Sequence, residues 1–136
     1  MSYIVVDASL WVARLVPQDH FFEKVKTWME DQRRAGTEFL SPALLLAEVA
    51  GAISRRTESP ELGQRSLQSL ETLPNLRLVA MDEILMRNAA ELAAALGLRG
   101  ADSTYVAVAD QLNLSLATLD EDQRDRASER VDVIRL

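Results

Sequence analysis

The sequence contains no cysteine, one histidine, only two lysines and no apolar run near the ~18 residues of a membrane span. Without cysteine there is no disulfide, no thiolate metal site and no thiol nucleophile. The lone histidine, His20, cannot supply the acid–base pair of a metal-independent ribonuclease, and it reads as a solvated residue in the first turn of a helix. No glycine-rich phosphate or dinucleotide loop is present. Lys24 and Lys26 both come early, which argues against receiver-type phosphotransfer proteins and aspartate-nucleophile phosphatases, since both use a late lysine. Asp7-Ala8-Ser9 also lacks the second aspartate of those phosphatases. The N-terminus has no basic region ahead of an apolar core, so a secretory signal is not expected and a soluble, cytoplasmic protein is.

What is present is an ordinary globular composition: 136 residues, 48% hydrophobic, with 5 Gly and 4 Pro. Residues 1–136 are expected to form a single domain burying roughly two-thirds of the unfolded surface. The net charge of −6 argues against a general polyanion-binding surface. It does not exclude a nucleic-acid enzyme, because metal-binding carboxylates are part of that count. Nearly all the cations are arginine, the side chain best suited to bidentate phosphate contacts.

The chain reads as alternating strands and helices. Tyr3-Ile4-Val5-Val6 is a continuous apolar strand of the kind buried on both faces, and it ends at Asp7. A short helix over Leu10–Val16 stops at Pro17, and Asp19 is expected to cap a second that ends near Gly36. Glu38-Phe39-Leu40 forms a brief strand. Ser41-Pro42 reads as a capped helix start, with the helix running to Ile53 and Glu48 its only ionisable residue. Ser59-Pro60 begins another helix, Asn75–Ala80 a strand, and Asp82 caps a helix closed by Gly97. The helix from Gly100 places Asp102 on one face with Tyr105, Val106 and Ala109. Leu114–Thr118 is a strand leading to Asp120, a short polar helix follows from Gln123 to Arg130, and Val131–Ile134 is the last strand. Repeated βα units predict a three-layer α/β/α sandwich with a mostly parallel central sheet.

Four acids then stand out. Asp7 and Asp120 lie at strand carboxyl ends, where open α/β sheets bind ligands; Asp102 opens a helix and Glu48 interrupts an apolar one. If they converge, charges ~4 Å apart repel by ~1 to 4 kcal/mol even at surface-like dielectric. Such a group needs protons, arginines or a cation. All-oxygen donors select hard ions, making magnesium the natural occupant and manganese its substitute. Ser9 and Thr118 are each two residues from an aspartate and could orient a carboxylate. Arg14, Arg55 and Arg56 lie near the ends of helices that begin beside these acids and could contact a nucleic-acid backbone.

Asp7-Ala8-Ser9 after an apolar strand, Glu48 in a small-residue helix, Ala101-Asp102 before Tyr105-Val106-Ala107, and Thr118-Leu119-Asp120 together resemble the PIN-domain ribonucleases. The length resembles the VapC-type toxins of toxin–antitoxin pairs. The resemblance implies a PIN-like fold and magnesium-dependent endonucleolytic cleavage of RNA. It also implies a cognate antitoxin, a toxin homodimer and a toxin–antitoxin hetero-oligomer, with no membrane partner. Asp7 and Asp102 are implied as metal ligands, Glu48 and Asp120 complete the acidic site, and Asp122 is an outer acid. Ser103 stands where these toxins often carry alanine. A related nuclease acting on DNA and a catalytically silent PIN-like module are the alternatives.

Overall fold

The computed structural model describes residues 2–136. Its strands are β1 (Tyr3–Val6), β2 (Glu38–Pro42), β3 (Leu76–Val79), β4 (Leu116–Ala117) and β5 (Val133–Ile134). The helices are α1 (Ala8–Leu15), α2 (Phe22–Arg34), α3 (Leu45–Thr57), α4 (Pro60–Glu71), α5 (Glu83–Leu96), α6 (Gly100–Leu112) and α7 (Glu121–Ala127). The strands form one sheet in the order β3-β2-β1-β4-β5, and every neighbouring pair is parallel. The expected mostly parallel sheet is thus parallel throughout.

The strand order explains where a site can form. From β1 the chain steps outward to β2 and β3, then crosses back to β4 and β5 on the other side of β1. Right-handed crossovers therefore place α1–α4 on one face and α5–α7 on the other. The direction of travel reverses between β1 and β4, so the connections leaving their carboxyl ends diverge and open a crevice. Val5 and Val6 have no exposed surface, as a central strand covered on both faces requires. Over the sheet, α6 is buried without a break from Ser103 to Ala109. On the α1–α2 side, Phe39 is met edge-on by Trp11 and stacked by Trp28, with ring centroids 5.8 and 5.7 Å away.

Most local signals act as read. Ser59 Oγ accepts from Leu62 N at the start of α4, Asp82 Oδ1 accepts from Leu85 N at the start of α5, and Gly97 ends α5 at φ 67°. The α3–α4 pair is tightened by Gly63, where a Cβ would lie 2.7 Å from the Ala50 carbonyl oxygen. Several boundaries differ: β4 and β5 are only two residues long, and α7 spans Glu121–Ala127 rather than Gln123–Arg130. Asp19 does not cap α2. Its Oδ1 accepts from Phe21 N in the turn ahead of the helix and its Oδ2 pairs with Arg56.

The informative correction is Ser41-Pro42, which lies inside β2 instead of opening α3. In the parallel ladder, Glu38 N donates to Ser2 O and Leu40 stands opposite Val5. With a period of two, the next donor toward β1 would be residue 42, aimed at the carbonyl of Val6. Pro42 has no N–H to give. The hydroxyl of Ser41, fully buried, donates to that carbonyl at 2.6 Å instead. Pairing with Leu78 and Val79 of β3 completes the extension of the strand and overrides the helix-start preference of a Ser-Pro pair. Ser41→Ala should orphan the Val6 carbonyl just ahead of Asp7 and cost roughly 1–3 kcal/mol of stability. Urea unfolding checks this; an unchanged midpoint would mean that carbonyl has another partner.

Candidate active site

Asp7 leaves β1 and immediately caps α1, which begins one residue later. The strand end hydrogen-bonds across the switch point, where Asp7 N donates to Ala117 O at 3.0 Å. Asp7 as a whole is only 5% exposed. Ser9 Oγ donates to its Oδ2 at 2.7 Å, Thr118 Oγ1 at 2.9 Å and Ser9 N at 3.3 Å. All three bonds fall on Oδ2, so Oδ1 takes none of them. Thr118 Oγ1 is also 3.2 Å from Gln123 Oε1, but one hydroxyl proton serves one acceptor, and the Asp7 oxygen at 2.9 Å is the nearer. Ser9 Oγ in turn accepts from Leu119 N, and Thr118 Oγ1 accepts from Asp120 N. Both predicted orienting residues therefore tie Asp7 to the loop that carries Asp120.

Glu48, half-buried in the first turn of α3, accepts a 2.6 Å hydrogen bond at Oε1 from Tyr105 Oη of α6. Burial, its bond to Glu48 and the acids around it drive the Tyr105 hydroxyl far above its ordinary range, so it remains a donor. Asp102 sits in the first turn of α6 and receives Arg99 Nε at 3.1 Å. Asp120 caps α7 by accepting from Gln123 N at Oδ1, and its Oδ2 receives Arg99 Nη2 at 3.0 Å. Gln123, buried, also reaches the Asp102 carbonyl at 3.4 Å, a long contact that links α7 to α6.

The acids feel one another. Burial is the main cause that raises the proton affinity of Asp7, Glu48 and Asp102. Mutual repulsion adds to it: Asp102 acts on Asp7, both act on Glu48, and Asp120 and Asp122 act on Asp102. Yet among the described residues no three acids or histidines meet as a ready-made cation cage. The two observations are compatible, because charges couple over distances at which they cannot share a ligand. The donor chemistry fits a hard divalent cation, all oxygen and short of positive charge. Arg99 already stands between Asp102 and Asp120 as a positive group.

Of the remaining predicted residues, Arg55 and Arg56 line an open cleft of ≈ 560 Å³ together with Glu48, Ser9, Phe21 and Leu119. Arg14 is not brought there. It lies over the Phe22 ring and lines a separate cavity with Trp11 and Arg33, because the last turn of α1 carries it away from the acids. Asp122 is exposed and paired with Arg126, contributing to the site only through its field. His20 is exposed, its ring set edge-on against Phe21. Sequence reasoning missed three groups: Arg99, Gln123, and Tyr105 as the partner of Glu48. The i, i+3 spacing of Arg99 to Asp102 was a usable signal; the Glu48 contact spans 57 residues and left none.

In the folded chain Asp7, Glu48 and Asp102 hold protons to higher pH than in the unfolded chain. The stability linked to them is thus fully present below the unfolded carboxylate range and lost as pH rises through the folded values. In chelator at neutral pH, Asp7→Asn should therefore melt a few degrees above wild type, and the gain should shrink in mild acid. Melting curves at the two pH values check this; a variant less stable than wild type at neutral pH would contradict it.

Three solved structures share the fold over nearly the whole chain. VapC20 of Mycobacterium tuberculosis, described as a Sarcin-Ricin loop cleaving toxin, superposes with a TM-score of 0.79 at 18% identity, covering 97% of this chain and 99% of its own. VapBC2 from Rickettsia felis, bound to a DNA fragment from its promoter, gives 0.73 at 14% identity over 97% of each chain. FitAcB from Neisseria gonorrhoeae gives 0.71 at 23% identity, covering 97% and 96%. No curated protein matches the sequence significantly. The family model described as PIN domain matches residues 4–129, a span holding all four acids and, from Ile4 onward, the strands up to β4, and the chain belongs to the PIN domain family.

Proposed function

We propose that this protein is a magnesium-dependent endoribonuclease, with manganese as a substitute, and the toxin of a toxin–antitoxin pair. The observation that carries the reading is the group of four carboxylates at the β1/β4 switch point, three of them with raised proton affinity. Its support in the comparisons is the PIN domain match and the likeness to VapC20, a toxin described as cleaving the Sarcin-Ricin loop. The fold is also shared with VapBC2 and FitAB, both solved on DNA fragments, which favours a cognate antitoxin as partner. A homodimer, a toxin–antitoxin hetero-oligomer and a cytoplasmic setting belong to the same proposal. Among the described residues no helix is long and apolar enough to cross a membrane.

Asp7, Glu48, Asp102 and Asp120 would hold the cation. When bound, such an ion supplies Lewis acidity, lowers the pKa of water and stabilises a leaving oxygen. The chain's own residues do the rest. Ser9 and Thr118 fix the Asp7 carboxylate through Oδ2. Tyr105 holds Glu48 through Oε1, which leaves Oε2 outside that bond. Arg55 and Arg56, lining the cleft beside Glu48, would meet the phosphates flanking the cleaved bond.

Purified protein should cleave single-stranded RNA with magnesium and not with chelator. Asp7→Asn and Asp102→Asn should each lose at least roughly a hundredfold, the upper range for losing even an outer-shell partner of a metal. Full activity in either variant, or cleavage of a matched DNA strand in preference to RNA, would overturn the reading.

The cleft separates the arginines into two groups. Neutralising Arg55 and Arg56 together should weaken RNA binding and flatten its salt dependence by about 1.4 in log–log slope, as for two phosphate contacts on a single strand. Arg14→Ala should leave the slope unchanged. A slope that responds to Arg14 and not to the other two would place the nucleic acid elsewhere.

A further inference from the structure

Arg99 directly precedes α6, but its side chain makes no cap for that helix. Its guanidinium is spent on two carboxylates from different elements, Asp102 in the first turn of α6 and Asp120 at the start of α7, at 3.1 and 3.0 Å. The arrangement is lopsided: the Arg99 side chain is 76% exposed, against 17% for Asp102 and 31% for Asp120. The cation lies outside and the acids inside.

We infer that Arg99 is a tethered counter-cation of the acid group: it holds Asp102 and Asp120 together until a divalent cation takes their oxygens, and is then released. The inference rests on the proposed metal-dependent function. A divalent ion carries twice the charge and approaches carboxylate oxygens to about 2.0–2.6 Å, closer than any guanidinium nitrogen. An exposed ion pair contributes little, and a weakly hydrated guanidinium loses little on release. The exchange therefore favours the ion. It leaves a free arginine at the site's edge, on the same side as the carboxylates that gave it up.

Manganese binding followed by electron paramagnetic resonance needs no catalysis. Arg99→Gln, which removes the charge and keeps most of the length, should bind manganese about tenfold more tightly than wild type at neutral pH. It should also melt lower in chelator, because the two carboxylates lose the guanidinium that bridges them. Arg99→Lys keeps the charge without the two-pronged reach and should fall between. In wild type, the Nε signal of Arg99, assigned by its loss in Arg99→Gln, should shift on adding magnesium as the guanidinium leaves Asp102. Unchanged or weaker manganese binding in Arg99→Gln, with binding abolished in Asp102→Asn, would overturn the counter-cation role and leave the metal reading standing. No manganese binding by wild type or Arg99→Gln would overturn the metal reading, and this inference with it.

Discussion

The rest of the site depends on keeping the carboxyl group of Asp7 almost out of water at the end of the central strand. Removing a carboxylate from water is expensive unless donors replace the solvent. Here they come from both sides of the switch point: Ser9 from α1 and Thr118 from beyond β4. The same hydroxyls receive Leu119 N and Asp120 N. Stabilising one buried oxygen and positioning the loop that carries a second acid are thus one network. Concentrating the donors on Oδ2 leaves the carboxylate directional, with one oxygen anchored and the other outside that network.

Burial distinguishes this cluster from the other acids of the chain. Outside the crevice several acids are paired with arginine, as Asp110 is with Arg130 and Glu38 with Arg77. Only in the crevice do burial and neighbouring acids raise proton affinity together. That local deficit of positive charge is what a divalent cation, a proton or an arginine can fill. The structure shows the arginine, and Tyr105 shows how the polar partner of Glu48 can be a neutral hydroxyl that adds no charge.

The crevice also reconciles an acidic protein with the proposed polyanionic substrate. Arg55 and Arg56 follow Glu48 on α3 by two helical turns and share its cleft, so positive charge is supplied beside the acids and not over the whole surface. A substrate held there would be recognised locally, with repulsion from the remaining surface disfavouring loose association.

The four acids, the orienting Ser9 and Thr118, and the βα order were legible because each leaves a short-range trace. A strand that is apolar throughout must be covered on both faces, an aspartate at its end marks the carboxyl edge of a parallel sheet, and i, i+3, i+4 spacing puts Asp102 over a buried stripe. What the sequence could not decide was everything set by meeting across long separations. Ser41-Pro42 carries a helix-start signal that pairing with β3 overrode, and its hydroxyl found a use only because β1 ended one hydrogen bond short beside a proline. Asp19 turned from cap to ion-pair partner because Arg56 lay 37 residues away in sequence and 2.8 Å away in space. Arg14 and Arg55 look alike in sequence, and the direction of two helices separated them. Local propensity and periodicity determine which residues can end a strand or line a core; which of them share a crevice is decided by the strand order that brings β1 beside β4.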